Sequence, residues 1–197
     1  MEILFATGNV HKISEAAAIL NLLGHTVSPL LIDGNLPELV EPQADDLETV
    51  ASAKINQAKS MVQGTPLADS AILVEDSGLF IDSLDGFPGP FSSYVERSVG
   101  LNGILKLLDG TEERRAEYRA VAILEVEGRE LLATGVCQGV IAEECLGERG
   151  FGYDPIFVPD EGDGRTCAQM SSEEKSEISH RGRALKAMSE LLKSPSK

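Results

Sequence analysis

Residues 71–95, AILVEDSGLFIDSLDGFPGPFSSYV, decide how this chain folds and pose its main chemical question. Ala71 to Val74 are apolar enough for a buried strand, yet Glu75 and Asp76 follow at once as adjacent carboxylates. Gly78 then separates a first strand, Ala71–Glu75, from a second strand-like run, Leu79–Leu84, and a loop carrying Gly86, Pro88, Gly89 and Pro90 comes next. Carboxylates at the C-terminal end of a buried strand lie where open α/β sheets bind ligands. Consecutive strand residues point to opposite faces, so Glu75 and Asp76 need not enter one site. Two readings stand at this point: a solvated strand end before a turn, or a place for a hard, oxygen-seeking cation such as Mg²⁺.

The flanking sequence alternates strand and helix signals. Glu2–Ala6 reads as a short buried strand, followed by the polar loop TGNVHK. Ile13, Ala16, Ile19, Leu20 and Leu23 recur at helical spacing until Gly24. His25–Ile32 reads as a second strand, Leu47–Val62 as a second helix, and Val99–Leu108 as a third, stopped by Gly110. Residues 116–126 and 130–141 form a hairpin signal around Glu127-Gly128-Arg129. Ser171 and Glu174 have capping-box spacing, and Ala184, Leu185, Met188, Leu191 and Leu192 give a last amphipathic helix. Early alternation followed by a long hairpin predicts an α/β fold with a mixed sheet. With no repeat or linker, residues 1–197 are expected to form a single domain.

Composition narrows the partners. The 197 residues are 42% hydrophobic and 25% charged, the balance of an ordinary globular protein. No apolar run approaches a membrane span, and MEILFATGN lacks a basic n-region, so a cytoplasmic protein away from membranes is expected. Cys137, Cys145 and Cys167 are odd in number and lack metal spacing, which fits reduced, semi-buried thiols. A net charge of −15 repels a nucleic-acid polymer. Residues 171–197 are locally basic, with six Lys/Arg against four Glu. That asymmetry suits a small anionic ligand brought in with a metal.

Four stretches could carry chemistry. In FATGNVHK (5–12) a strand meets a helix N-terminus, with Thr7, Gly8, Asn9 and Lys12 as a phosphate cradle; taken alone, Asn9 reads rather as an N-cap. The Glu75-Asp76 pair is the second. The third, GERGFGYDPIFVP (147–159), combines Gly-rich backbone with Phe151 and Tyr153, either a surface for a flat ring or core-edge packing. The fourth, SSEEKSEISHRGRALK (171–186), gathers the donors Lys175, Ser179, His180 and Arg181. No GxSxG motif and no His metal spacing is present.

Together FATGNVHK, LPE (36–38), VEDSGLFIDSLDGFPGPFS, GFGYDPIF and EEKSEISHRGRAL resemble, in order and spacing, the inosine triphosphate pyrophosphatase family. The resemblance runs from residue 3 to about residue 192 and implies Mg²⁺-dependent hydrolysis of the non-canonical purine triphosphates ITP, dITP and XTP to the monophosphate and pyrophosphate. It implies an elongated, two-lobed α/β fold with a long mixed sheet, a central cleft and a homodimer. By position it implies that Thr7, Gly8, Asn9, Lys12 and Ser77 meet the triphosphate, and that Glu38 and Asp76 hold the metal. Asp76 would also be the general base, with Glu75 the competing candidate and Lys12 assisting. Lys54 matches a phosphate-binding lysine, with Lys59 as the alternative. Phe151, Gly152, Tyr153 and Asp154 would form the base pocket; Lys175 would meet phosphates, and Ser179, His180 and Arg181 would line the base end. Two positions depart from the commonest pattern: Glu75 stands where many members have aspartate, and Phe91 where many have tyrosine. The rival readings are a Maf-type pyrophosphatase of modified pyrimidine triphosphates and a non-catalytic nucleotide sensor. Turnover of dTTP or UTP would mark the first, and tight ITP binding without pyrophosphate release the second.

Overall fold

Strands and helices alternate through the first third of the chain. In the computed structural model, which describes residues 1–193, β1 (Glu2–Phe5) leads to α1 (Val10–Leu22), β2 (Thr26–Pro29), α2 (Leu47–Val62) and β3 (Ala71–Ile81). Then come β4 (Pro88–Gly89), α3 (Ser92–Ser98), α4 (Gly100–Leu107), the hairpin of β5 (Arg115–Val126) and β6 (Arg129–Ile141), β7 (Phe157–Pro159), α5 (Ser172–Ile178) and α6 (His180–Lys193). The last four residues of the expected 1–197 domain, with Lys197 of the basic stretch, lie outside the described residues.

One mixed sheet runs in the order β2-β1-β3-β5-β6-β7, with β4 added beside β3. β2, β1 and β3 are mutually parallel neighbours, joined through α1 and α2; β3, β5, β6 and β7 are antiparallel. The alternation of β3 sorts its two faces. Ala71 and Leu73 join Ile3, Phe5, Ala16, Leu20, Leu185 and Met188 under α1 and α6, whereas Ile72 and Val74 join Ala51, Ile55 and Ala58 under α2. A third apolar cluster, containing Leu79, Ile81, Ile104, Tyr118, Ile156 and Phe157, packs the other end of the sheet.

Several boundaries differ from the sequence reading. β3 is a single strand ending at Ile81; residues 82–84 form a 3₁₀ turn. Gly78 is no break. A Cβ there would sit 2.2 Å from the Gly89 carbonyl oxygen, so glycine permits the close approach of β4. The expected helix Val99–Leu108 is present as α4, Gly100–Leu107, and a short helix the sequence reading left out, α3 at Ser92–Ser98, precedes it; Gly100, at a positive φ of 72°, divides the two. β2 stops at Pro29, and Ile32 instead bridges Asn35 in a small turn. The Ser171/Glu174 capping box is present in full and opens α5. Cys137 and Cys167 are buried while Cys145 is exposed rather than semi-buried.

β3 outruns its parallel neighbour. β1 pairs with it only at Ala71–Leu73, and β4 only at Leu79 and Phe80. Residues 74–78 therefore face an interruption along that edge of the sheet, and the cleft opens there.

Candidate active site

The interruption is floored by β3 and walled by the turn after β1, by α2, by the 151–154 turn and by the start of α6. The resulting cleft has a volume of about 480 Å³, within the ordinary range for ligand pockets of about 300–1,000 Å³. Of the residues singled out from the sequence, Thr7, Gly8, Asn9, Lys12, Lys54, Asp76, Ser77, Phe151, Gly152, Tyr153, Asp154, Lys175, His180 and Arg181 all line it.

The turn after β1 serves two ends at once. Asn9 Oδ1 accepts the backbone N–H groups of His11 (2.9 Å) and Lys12 (3.3 Å), capping α1, and the Asn9 N–H donates to Thr7 Oγ1 at 3.2 Å. Asn9 is thus an N-cap and a cleft residue together, and the cap points Lys12 back over β3. Lys12 Nζ reaches Glu75 Oε2 at 2.7 Å and donates to the Glu75 carbonyl at 3.3 Å.

Strand alternation separates the two acidic neighbours. Glu75 turns under α1 and α6, is 2% exposed, and sits between Lys12 and Arg181, whose guanidinium lies 3.2 Å away. The carboxylate is thus held between two cations. Burial alone would raise its pKa; Arg181 and Lys12 outweigh burial and hold it far below the usual carboxylate range. Asp76 turns under α2, where Lys54 Nζ binds its Oδ1 at 2.6 Å. Here burial prevails over Lys54 and Lys12, and the Asp76 pKa is raised. The Asp76 carboxylate lines the cleft and Glu75 does not.

Glu75 belongs to a chain of alternating charges. Arg181 also pairs with Glu15 and donates to Ser77 Oγ at 3.1 Å. Glu15 binds Lys175 at 2.9 Å, and Lys175 binds Asp154 at 2.7 Å. Asp154 Oδ2 accepts the Phe151 N–H at 2.9 Å and so closes the 151–154 turn; Gly150, at a φ of 73°, leaves room for that carboxylate. The Phe151 ring stacks with His11 at 5.1 Å and has Lys175 4.8 Å and Arg181 5.5 Å from its centroid. Tyr153 donates its hydroxyl to the Ser92 carbonyl at 2.8 Å. His180 is buried and stacked on Tyr118 at 4.5 Å. Burial first, then Arg181, holds the His180 pKa well below 6.5, so the ring is neutral and presents one N–H donor.

Glycine-containing backbone, lysines on both faces of β3, an aromatic ring and a carboxylate of the kind hard cations bind now stand around one cleft. A profile described as the Ham1 family matches residues 3–191. The chain belongs to the Ham1 family. A protein named dITP/XTP pyrophosphatase from Methanopyrus kandleri is 47% identical over 194 residues, covering 98% of this chain and 97% of that one. A protein of the same name from Pyrococcus horikoshii is 45% identical over 193 residues, covering 98% and 97%. Among solved structures, the Ham1 protein of Staphylococcus aureus superposes with a TM-score of 0.80 at 30% identity, covering 98% of both chains. The HAM1 protein of Coxiella burnetii gives 0.78 at 31% identity, again covering 98% of both.

Besides Glu75, whose side chain is turned away from the cleft, three candidate site residues singled out from the sequence sit elsewhere in this Ham1 family chain. Ser179 is buried below the cleft, where its Oγ accepts the Gly182 N–H at 3.0 Å as the N-cap of α6. Lys59 lies outside the cleft and pairs with Glu125 at 2.7 Å, which leaves Lys54 as the cleft lysine of α2. Glu38 is exposed and does not line the cleft; Glu41, three residues on, does, with Oε1 2.6 Å from Lys54 Nζ. Glu41, His11 and Tyr118 also line the cleft and Glu15 pairs with Lys175 and Arg181 beside it, none of which the sequence motifs singled out. Glu15 carries a usable signal, since it follows Lys12 by three residues and so shares its helix face. Glu41 and Tyr118 carry none, because tertiary contacts alone bring them in.

Proposed function

We propose that this Ham1 family protein hydrolyses the non-canonical purine triphosphates dITP, XTP and ITP to the nucleoside monophosphate and pyrophosphate, in an Mg²⁺-dependent reaction. The observation that carries the reading is the separation made by β3. Asp76, the cleft carboxylate with a raised pKa, is presented beside Lys54, while Glu75 is consumed by Lys12 and Arg181 on the opposite face.

The residues fit a hard cation. Asp76 and Glu41 both hold the Lys54 ammonium at 2.6 Å, so two carboxylates already converge on one positive charge. Mg²⁺ is commonly bound by one or two carboxylates with substrate phosphates and water completing the set. Asp76 would hold it, with Glu41 as the second carboxylate in the place first expected of Glu38. Bound there with the substrate, the metal would neutralise charge developing on phosphate oxygens.

The chain's own groups supply positioning. Thr7, Gly8 and the capped Asn9 offer backbone and amide donors to phosphate at the N-terminus of α1. Lys12 and Lys175, each already partnered by a carboxylate, are held in place to meet the triphosphate rather than searching for it. Asp76 accepts a proton from, or orients, the water that attacks the α-phosphorus in line with the departing pyrophosphate. At the base end, hypoxanthine and xanthine present an oxygen acceptor at position six, where adenine presents an amino donor. Neutral His180 and Arg181 offer donors there. Adenine would set donor against donor, at a cost of about 1–3 kcal/mol for each unpaired group.

The test is a substrate panel of dITP, XTP, ITP, ATP, GTP, dTTP and UTP with Mg²⁺ and product identification. Pyrophosphate is expected mainly from the first three. Orthophosphate release, equal turnover of ATP, preference for dTTP or UTP, or tight ITP binding with no turnover would each overturn the reading. The cytoplasmic homodimer implied by the family likeness belongs to the same reading, and light scattering should return a mass of two chains.

A further inference from the structure

The segment between β2 and α2 delivers Glu41 to the cleft with little to hold it. Among the described residues, the backbone of residues 36–45 makes hydrogen bonds at a single residue, Val40, and both go to one side chain. Gln57 Oε1 accepts the Val40 N–H at 2.9 Å and Gln57 Nε2 donates to the Val40 carbonyl at 2.8 Å. Nε2 also donates to the Ala53 carbonyl of the same helix at 3.1 Å. The amide of Gln57 thus presents one donor and one acceptor to a single residue, as a neighbouring strand would. The Val40 side chain is 74% exposed, so packing does not hold it; Leu39 alone contributes a partly buried contact, against the cluster under α2.

The next residue is Glu41, and Gln57 lies one helical turn beyond Lys54 on α2. The two residues of α2 grip adjacent positions of the segment: Gln57 takes the backbone of Val40, and Lys54 takes the carboxylate of Glu41 at 2.6 Å while holding Asp76. We infer that Gln57 is a positioning residue of the active site. It does not itself line the cleft. Its amide sets where Val40 sits and hence that Glu41, rather than Glu38, turns toward Asp76. The assignment rests on the proposed pyrophosphatase reading for its effect on turnover, and stands independently of it for its effect on the segment.

Gln57→Met keeps helix propensity and approximate volume while removing both hydrogen bonds. Hydrogen exchange should show the Val40 amide and its neighbours exchanging at least tenfold faster in Q57M, with the α2 amides unchanged. On dITP, kcat/KM should fall about tenfold, equivalent to about 1.4 kcal/mol. Glu41→Gln should cost a similar factor, and the double variant little more than either alone, since Gln57 acts through Glu41. Unchanged exchange at Val40 would overturn the inference, as would losses in the double variant that multiply. If the unaltered protein releases no pyrophosphate from dITP, the functional reading fails, while the exchange comparison still decides whether Gln57 holds the segment.

Discussion

Glu75→Gln and Asp76→Asn alter neighbouring residues and should fail in different ways. Removing the Glu75 charge leaves Lys12 and Arg181 without their shared partner. Stability should drop toward the lower end of the about 3–5 kcal/mol typical of a broken buried pair, because Arg181 keeps Glu15. Denaturant unfolding measures this, and a midpoint unchanged from the parent would contradict the structural role. Asp76→Asn should instead unfold near the parent midpoint and lose about 10²–10⁴ of kcat on dITP, the usual contribution of a positioned base. Substantial residual turnover would move the base role elsewhere. At this scale the motif residues are legible in the sequence alone, since each lies within a short, ordered run such as FATGNVHK or EISHRGRAL. The direction in which each side chain points is not. Glu75 and Asp76 look equivalent in a string of letters, and only the partners on the two faces of β3 make one a structural anion and the other a cleft carboxylate.

Among the elements, β3 and the segment before α2 differ most from expectation. The glycine in SGLF reads as a strand break when judged by propensity, but its cause is the carbonyl of Gly89 pressed against it. Gly78→Ala should therefore force β4 and the Ser92 hydroxyl outward; Ser92 Oγ now accepts the Leu79 N–H at 2.8 Å and donates to the Gly89 carbonyl at 2.7 Å. A loss of about 1–3 kcal/mol is expected, as for other overpacking substitutions, read as a lower unfolding midpoint. Full stability would mean that β4 is looser than described. The helix starts are legible because capping is local chemistry: Asn9, Asp46 and Ser171 each accept a backbone N–H within three residues. The turn of Glu41 toward Lys54 is not legible, because it depends on the Gln57 side chain of a separate element, α2.

For the molecule as a whole, acid should be destabilising in two steps. Burial and Arg181 depress the folded-state pKa of His180 below 6.5, with Lys175 and Lys12 acting the same way and Glu75 opposing them. The unfolded chain then binds the extra proton, so stability falls as pH drops below about 6.5, by at most about 1.4 kcal/mol per pH unit. The carboxylates of Glu75 and Glu15 are depressed below 4.5. Their contribution is present above that value and lost as pH falls further. Asp76 and Asp154, raised above 3.8 by burial, act in the opposite sense. His180→Gln isolates the first step: its midpoint should vary less between pH 7 and pH 5 than the parent's, and an identical slope would show that His180 does not carry the effect.

The interruption beside β3 has a further consequence for how such a cleft can be lengthened or closed. Its mouth is set by where one strand stops and another begins, with five residues, 74–78, left between Leu73 and Leu79. At about 3.3 Å per residue that is an aperture of roughly 17 Å. Each added rung of ladder, Ala6 opposite Val74 at one margin or Pro90 opposite Gly78 at the other, would zip it shut by one such step. Insertions or deletions near Ala6 and Pro90 are therefore a coarse control on ligand length, acting together with the fine control exerted by the side chains beside them.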